Sequence, residues 1–319
     1  MKKIKIRLML VALCLILSVQ TVFAAQLLVP GGQIVGLELE DQTVTVAAFE
    51  GQASKNCGLH VGDRLVSVNG EPVHSVQDVR DALKRTDGET EISVLRDGKA
   101  KKLRITPQIT KDGPRLGVYL KQGITGVGTV TWYDPDSGAF GALGHGVNHA
   151  DGGLIKMAQG KVYEATVLSV KTGRSGTPGQ LMSAITGSGV IGSLSKNTVQ
   201  GVFGTAELSK KEEMLPVGGK DQVHTGTAVI RSTVKDSQVQ EYSVEILKVY
   251  PNSGATGRNM LLRVTDPELL AATGGIVQGM SGSPIIQDGK LVGAVTHVLV
   301  NDPTTGYGIF IENMLDAAA

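Results

Sequence analysis

The chain has 319 residues, and its 31 lysine and arginine residues nearly balance its 30 aspartate and glutamate residues. This balance excludes the strongly basic surface typical of nucleic-acid-binding proteins, so we expect no nucleic-acid partner. The length suits two domains, and 42 glycines with only 4% aromatic residues indicate a turn-rich, mainly β protein.

The N-terminal segment has the pattern of an export signal. Basic residues at positions 2–7 precede an uninterrupted apolar run over residues 8–17, and small residues at positions 24 and 25 suit signal cleavage. Extended through Phe23, the run becomes a marginal membrane span. We therefore predict that residues 1–25 are a signal peptide or an N-terminal membrane anchor. The protein would be exported across the cytoplasmic membrane, either secreted or anchored.

Residues 27–107 carry the pattern of a small α+β domain. Strand-like runs lie at residues 44–49 and immediately before an Asn69-Gly70 turn. Ser75, with Asp78 three residues later, predicts a helix that begins with a capping box. A β-hairpin follows the helix and closes the domain.

This order of elements, and the stretch GLHVGDRLVSVNGEPV in particular, resembles a PDZ domain of bacterial proteases. PDZ domains bind a peptide as an added strand and hold its terminal carboxylate with backbone N–H groups. The resemblance places the carboxylate-binding loop at Ile34, Val35, Gly36 and Leu37, with the helix from Ser75 as the opposite wall. The domain would bind a peptide tail or mediate self-association. Alternatively, it only packs against its neighbour.

The remainder of the chain, residues 114–319, reads as a second and larger β domain. Short β-branched runs alternate with Gly, Asn, Asp and Ser turns, a spacing that indicates a closed or sandwiched antiparallel domain. At this length it is long enough for a double β-barrel. Asp266 and Pro267 predict one short helix, since proline is favoured at the first helical position.

A serine held between glycines is the first candidate for chemistry. In Gly279-Met280-Ser281-Gly282 the glycines permit a sharp turn that exposes the hydroxyl of Ser281 as a nucleophile. The backbone N–H groups of Gly279 and Ser281 would form an oxyanion hole. Ser283 is a weaker candidate because Pro284 follows it. By itself, such a sequence is also typical of an ordinary turn before a strand.

His145, bracketed by Gly144 and Gly146, is the candidate general base. Asp266, which follows an apolar run, is the candidate acid, because the order His, Asp, Ser is that of a chymotrypsin-type triad. Other histidines and acids remain as alternatives. His149 could pair with His145 on a metal, but the surrounding glycines argue against the helix that this spacing needs, so no metal and no cofactor are expected. His297 reads as a packed or hydrogen-bonded histidine, and the acids near His145 are Asp134, Asp136 and Asp151.

The stretches YDPDSGAFGALGHGV and VTDPELLAATGGIVQGMSGSPIIQDGKLVGAVTHVLVNDPTTGYGIFIENML resemble the stage IV sporulation protein B peptidases of endospore-forming bacteria. The resemblance covers nearly the whole chain. It implies a chymotrypsin-like serine peptidase domain after the PDZ domain, with His145, Asp266 and Ser281 as the triad. It also implies export into the space between the two forespore membranes. There such a peptidase cleaves an inhibitory subunit of a membrane metalloprotease complex and so triggers late sigma-factor activation.

Three functional hypotheses follow. The first is an exported serine endopeptidase of restricted specificity, regulated by its PDZ domain, whose substrates are proteins or peptides such as the extracytoplasmic segment of a membrane protein. The second is a catalytically idle PDZ scaffold, and the third is a general extracytoplasmic quality-control protease. Cleavage of one membrane-protein tail, as opposed to broad cleavage of unfolded protein, would separate the first from the third.

Overall fold

The computed structural model describes residues 26–51, 56–149, 152–208, 213–235, 238–253 and 257–319. The predicted signal or anchor segment, residues 1–25, lies outside these ranges. Within them, no helix is long and apolar enough to cross a membrane.

The protein is mainly β, as predicted. Strands β1 to β14 form the first barrel and the PDZ region: β1 Leu27–Pro30, β2 Ile34–Phe49, β3 Arg64–Val68, β4 Glu71–Pro72, β5 Thr90–Arg96, β6 Lys99–Ile105, β7 Gln108–Thr110, β8 Gly113–Arg115, β9 Val118–Tyr133, β10 Ala139–Ala142, β11 Met157–Lys171, β12 Gln180–Thr198, β13 Gly201–Ala206 and β14 Leu215–Pro216. The remaining strands are β15 Gly226–Thr233, β16 Val239–Val249, β17 Met260–Val264, β18 Pro284–Gln287, β19 Lys290–Leu299 and β20 Asp302–Phe310. The helices are α1 Val76–Lys84, α2 Pro267–Thr273 and α3 Ile311–Ala318.

Two rings of strands make up the larger domain. In the first, β9, β10, β13, β12 and β11 pair in that order, and β2 closes the ring because it pairs with both β11 and β9. In the second, β15, β16, β17, β20, β19 and β18 form a closed barrel. Each ring surrounds its own apolar core, with Val130, Val162 and Val202 fully buried in the first and Ile230 and Ile246 in the second.

The PDZ domain grows out of the first ring through two long strands. β2 and β9 each have 16 residues, and their first and second halves lie in different domains. Against β9, the register of β2 shifts between Leu39 and Val44, where the strands leave the barrel and enter the PDZ core. Because both strands are continuous, the two domains are joined by backbone hydrogen bonds as well as by the chain.

The predicted capped helix is confirmed. The Ser75 hydroxyl accepts a hydrogen bond from the Asp78 N–H, and the Asp78 carboxylate accepts one from the Ser75 N–H. These reciprocal bonds satisfy two of the N–H groups that a helix leaves unpaired at its start. The helix buries Val79 and Leu83 against the PDZ core.

The predicted carboxylate-binding loop is wrong. Ile34, Val35, Gly36 and Leu37 lie in β2, where they pair with β9 on one side and, from Val35 onward, with β11 on the other. Their backbone groups are therefore used within the barrel, and no peptide strand can be added there. The PDZ domain predicted for residues 27–107 accordingly starts later in the structure, because the N-terminal half of β2 belongs to the barrel.

A buried ion pair fixes the PDZ core. The Asp63 side chain is fully buried, and its carboxylate accepts hydrogen bonds from Arg96 Nε at 2.6 Å, Arg96 Nη2 at 2.7 Å and the His60 N–H at 2.7 Å. Burial by itself raises the pKa of Asp63, but the bonds from Arg96 and His60 outweigh it and hold the pKa below its ordinary value. This contribution to stability is therefore present above the ordinary aspartate pKa and is lost as the pH falls through the lowered one.

We predict that Arg96→Met destabilises the PDZ domain by about 3 kcal/mol near pH 7, because it leaves the Asp63 carboxylate buried and without its cation. Hydrogen exchange of the amides in β3 and β5 measures the change. Arg104→Met is the matched control, since Arg104 pairs with Glu89 on the surface, and it should change stability by less than about 1 kcal/mol. Equal effects of the two substitutions, or an Arg96→Met effect that does not shrink in acid, would contradict this account.

Candidate active site

The two rings meet at a cavity of about 430 Å³ that contains the predicted serine and histidine. Both loops with candidate catalytic residues reach it, one from each ring. The lining residues are Leu37, Leu39, Ile124, Gly126, Val127, Leu143, His145, Gly146, Val147, Asn148, Gln278, Gly279 and Ser281.

The serine turn is a tight, hydrogen-bonded loop ahead of β18. Gly279 and Gly282 have φ of 102° and 99°, a backbone conformation that side chains other than glycine rarely adopt. The Met280 N–H donates to the Val277 carbonyl at 3.1 Å, and the Ser283 N–H donates to the Met280 carbonyl at 3.0 Å. The loop therefore holds Ser281 at its tip and anchors it with the buried side chain of Met280.

The oxyanion-hole donors predicted from the sequence are available. Within the described ranges, the N–H groups of Gly279 and Ser281 have no hydrogen-bond acceptor, whereas the N–H of Gly282 donates to the Val295 carbonyl at 2.7 Å. Gly279 and Ser281 also line the cavity. Two unpaired N–H groups beside a serine hydroxyl are the arrangement that stabilises a tetrahedral oxyanion.

The histidine loop turns sharply at the end of β10. Leu143 and Gly144 have φ of 70° and 67°, so two consecutive left-handed residues reverse the chain just before His145. Beyond His145, the Asn197 side chain accepts a hydrogen bond from the Val147 N–H and donates one to the Val147 carbonyl, both at 2.9 Å. The loop is thus fixed at both of its ends.

The His145 ring is held in one tautomer by the backbone. Nδ1 lies 2.9 Å from the Gly146 carbonyl oxygen. A carbonyl only accepts, so Nδ1 carries the proton and Nε2 keeps the lone pair that a general base requires.

The serine turn and the histidine loop are in direct contact. A Cβ added to Gly282 would lie 2.1 Å from the Thr129 carbonyl oxygen and 2.6 Å from the Leu143 nitrogen. Two threonines of β9 bind the turn from the other ring: Thr129 Oγ1 donates to the Gly279 carbonyl at 2.7 Å, and Thr131 Oγ1 donates to the Gly282 carbonyl at 2.8 Å. Only a glycine at position 282 allows the two loops to approach this closely.

The Ser281 hydroxyl does not bond to His145 in this structure. It donates to the Thr296 carbonyl at 3.0 Å, on the neighbouring strand β19. Hydrogen bonds between catalytic groups are often absent without substrate and form in the complex. The observed state therefore brings nucleophile and base to one cavity without joining them.

Asp266 does not join this pair. It is the N-cap of α2, and its carboxylate accepts hydrogen bonds from the N–H groups of Glu268 and Leu269, both at 3.0 Å, and of Ser243 at 3.3 Å. These are helix-capping contacts, and the Asp-Pro pattern that predicted a helix start is confirmed. The triad contact predicted between Asp266 and His145 is not present.

The strand β17 separates Asp266 from the cavity. Before this strand, Gly257 lies close to the histidine loop, since a Cβ on Gly257 would be 3.6 Å from the Gly144 carbonyl oxygen. Asp266 lies beyond the opposite end of the strand. Five residues of extended chain span about 13 Å, so one end of β17 faces the site while the other carries the carboxylate away from it.

Asp134, one of the alternative acids near His145, binds within its own turn. The Asp134 carboxylate accepts hydrogen bonds from the Ser137 hydroxyl and the Asp136 N–H in its own turn, and the Ser137 bond lowers its pKa. Asp151 lies outside the described residues. Among the residues that are described, no carboxylate forms a hydrogen bond or ion pair with the His145 ring.

His149 pairs with an aspartate. Its Nε2 lies 3.3 Å from Asp41 Oδ2, at the point where β2 passes from the barrel into the PDZ domain. Over the described ranges, no group of three or more His, Cys, Asp or Glu residues has the geometry of a metal site.

The imidazole of His297 lies beside that of His145, with ring centroids 5.7 Å apart and planes tilted by 42°. Burial lowers the pKa of His297, and the neighbouring charges of His145 and Arg258 lower it further. The sequence predicted a packed or hydrogen-bonded histidine at this position. Nothing in the sequence predicted that its ring contacts the ring of His145.

The free strand edge of the PDZ domain lies elsewhere than the predicted loop. Residues 118–122 of β9 pair with β2 on one edge, and no strand of the described chain pairs with the other, which faces α1. Gly117, with φ of 71°, lies just before this segment. At its far end, the Gln122 side chain accepts a bond from the Val76 N–H and donates one to the Asp41 carbonyl. The sequence analysis did not assign the stretch Leu116-Gly117-Val118, which leads into this free edge.

Fold and site together thus present a PDZ domain joined to a domain in which a serine, a histidine and two free N–H groups share one cavity. Comparison with protein families matches residues 112–315 to the family described as SpoIVB peptidase S55, and residues 46–96 to the PDZ domain. The first match covers well over half of the chain. The chain belongs to the SpoIVB peptidase S55 family, and it is a serine peptidase by class, as the sequence predicted.

Other similarities are partial. A Rhizobium meliloti (strain 1021) protein named as a zinc metalloprotease is 33% identical over 97 residues, which are 30% of this chain and 26% of that protein. The chain thus spans about a quarter of the length of this curated relative. Among solved structures, the Rv3671c protease of M. tuberculosis in its active form shows 16% identity over 62% of this chain and 75% of that one, with a TM-score of 0.34. The PDZ domain of an SdrC-like protein from Listeria monocytogenes shows 23% identity over 24% and 85%, with a TM-score of 0.22.

We predict that Gly282→Ala reduces peptidase activity at least about 100-fold, because its methyl group forces the serine turn away from the histidine loop. Gly289→Ala is the matched control. Gly289 also has positive φ, at 71°, but a Cβ there meets nothing within 4 Å. Both variants place a side chain at positive φ, but only the methyl group of Gly282→Ala meets backbone atoms, so Gly282→Ala should lose activity and also unfold at the lower temperature. The activities are compared well below both unfolding temperatures. Equal activities in the two variants would show that the close contact is not required.

We predict that Asp266→Asn leaves activity within about threefold of the wild type, because asparagine caps a helix as well as aspartate does. Asp266→Ala should lower the free energy of unfolding by about 1 kcal/mol through loss of the cap. In a triad, by contrast, the aspartate-to-asparagine change lowers kcat by about 10⁴. Initial rates and denaturant unfolding of both variants show whether Asp266 acts as a helix cap or as the triad acid. A loss of kcat of about 10⁴ in Asp266→Asn would restore the triad assignment.

Proposed function

We propose that this protein is an exported serine endopeptidase of restricted specificity whose PDZ domain regulates it. One observation carries the proposal: Ser281, the His145 ring and the unpaired N–H groups of Gly279 and Ser281 surround a single cavity between the two rings. Membership in the SpoIVB peptidase S55 family supports it.

The reaction follows from these groups. When a peptide enters, the Ser281 hydroxyl leaves the Thr296 carbonyl, transfers its proton to Nε2 of His145 and attacks the scissile carbonyl carbon. The N–H groups of Gly279 and Ser281 bind the resulting oxyanion, and each such donor contributes about 3 kcal/mol in comparable sites. His145 then gives the proton to the leaving amine, and water releases the acyl group from Ser281 by the same steps in reverse.

The substrate proposed is an extracytoplasmic segment of a membrane protein. The family suggests an inhibitory subunit of a membrane metalloprotease complex, cleaved in the forespore intermembrane space so that a late sigma factor becomes active. The basic and apolar pattern of residues 1–25 supports export. The groove between α1 and residues 118–122 would bind a peptide tail, either of the substrate, of a partner or of a second copy of this chain.

A catalytically idle PDZ scaffold is the second candidate. It is favoured by the Ser281 hydroxyl bonding to Thr296 and not to His145, and by the distant position of Asp266. A general quality-control protease is a variant of the first proposal, and broad cleavage of unfolded casein would favour it.

We predict that the region from Gln26 onward cleaves the extracytoplasmic segment of a suitable membrane-complex protein, and that Ser281→Ala abolishes cleavage. Mass spectrometry of the products gives the cleaved bond. Ser283→Ala is the matched control: its hydroxyl is buried, has no partner in the described structure and lies two residues from the nucleophile, so activity should persist. If wild type and both variants all fail to cleave while the PDZ groove still binds a peptide tail, the scaffold proposal replaces this one.

A further inference from the structure

The cavity between the two rings is larger than the reaction requires, and most of its lining is apolar. Ser281, His145 and the two unpaired N–H groups are its reactive part. Apart from His145, none of the described residues that line the cavity carries an ionisable acid or base. A charged group that entered it would lose water without gaining a partner of opposite charge, so the lining favours an apolar group.

Two paired strands of the first ring supply one wall of the cavity. Leu37 and Leu39 of β2 pair with Gly126 and Ile124 of β9. Residues directly opposite each other on paired strands, and residues two apart along one strand, have their side chains on the same face. All four residues line the cavity. This face of the strand pair is therefore a continuous apolar wall in which one position, Gly126, has no side chain.

The missing side chain leaves a gap in the wall that no other part of the described chain fills. A Cβ at Gly126 would meet nothing within 4 Å, and the φ of Gly126 is not positive. Gly128, on the same face of β9, differs: a Cβ there would lie 2.4 Å from Leu143 Cδ2, so packing explains that glycine. A glycine inside a strand weakens the strand and often marks the approach of a ligand. The gap at Gly126 thus has the character of a subsite.

The chemistry of peptide cleavage indicates which part of a substrate lies beside this wall. The acyl half becomes bonded to Ser281, which belongs to the second ring, whereas His145 of the first ring passes its proton to the leaving amine. The leaving half therefore lies on the side of the first ring. Ile124 and Val147 line the cavity there and are only half-buried. An apolar side chain that entered would remove their remaining surface from water, which is favourable.

We propose that the gap at Gly126 is the subsite for the residue that immediately follows the scissile bond, and that it selects a large apolar side chain such as that of leucine or phenylalanine. Gly126 is then a specificity-determining residue, because a larger side chain at this position would occupy the subsite itself. The cavity volume of about 430 Å³ is sufficient for such a group. This inference rests on the proposed peptidase function and deepens it by naming the class of peptide that is cleaved.

The test measures how tripeptide amides slow the labelling of Ser281 by a small alkyl fluorophosphonate. Labelling forms an Oγ–P bond and expels fluoride while His145 takes the serine proton, so it needs no known substrate. The competitors have the free amine of a leaving group: each begins with phenylalanine, leucine, glycine, aspartate or lysine and continues with two glycines. Each competitor is characterised by the concentration that halves the labelling rate of the same variant, so differences in reactivity between variants cancel.

Gly126→Val fills the gap, and Gly189→Val is the matched control. Gly189 lies in β12, its φ is not positive, and a Cβ there also meets nothing within 4 Å, but it does not line the cavity. Thermal unfolding shows whether each variant is folded at the temperature of the assay. Gly126→Ala makes a smaller change at the same position and provides the result if Gly126→Val does not fold.

We expect the phenylalanine and leucine peptides to compete at concentrations at least about tenfold lower than the other three, in the wild type and in Gly189→Val. In Gly126→Val this preference should fall below about threefold, with Gly126→Ala in between. Equal competition by all five peptides in the wild type, or a full apolar preference in Gly126→Val, would overturn the inference alone. Absence of wild-type labelling at Ser281 would instead overturn the proposed function.

Discussion

The active site depends on one close contact between two turns. Gly282 in the serine turn lies against the backbone of Thr129 and Leu143, so closely that even a methyl group has no room. The two threonine hydroxyls of β9 then fasten the turn to the first ring. The histidine loop and the serine turn belong to different rings, so this contact brings the candidate base, the candidate nucleophile and two unpaired N–H groups of the described chain to one cavity.

The same strand that fastens the serine turn also connects the site to the PDZ domain. β9 carries the free edge beside α1 in its first residues and Thr129 and Thr131 in its last ones. Its partner β2 has Asp41 at the domain boundary, and the Asp41 carboxylate pairs with His149 of the histidine loop. A peptide bound along the free edge of β9 would therefore contact the same strand that holds the serine turn, and this strand is a physical route for the proposed regulation by the PDZ domain.

The sequence correctly predicted those helix starts and turns whose geometry is determined by residues adjacent in the chain. The Ser75 capping box, the start of α2 at Asp266 and the glycines around Ser281 and His145 all specify backbone geometry within a few residues, and the structure has each of them. The predictions that went wrong concern distant pairing. Whether Ile34–Leu37 faces a peptide or lies between β9 and β11 depends on strands more than 90 residues apart along the chain, and the direction in which β17 carries Asp266 depends on barrel closure. Neither leaves a local signal, and the same applies to the contact of His297 with His145.

The central claim is that Ser281 and His145 act as nucleophile and base in the cavity between the two rings. A crystal structure of the protein after reaction with a fluorophosphonate tests it most directly. The account predicts an adduct on Ser281 Oγ with its phosphoryl oxygen bound to the N–H groups of Gly279 and Ser281. Nε2 of His145 would face the adduct. A structure in which the adduct forms on another residue, or in which the His145 ring lies away from the adduct, would contradict the account.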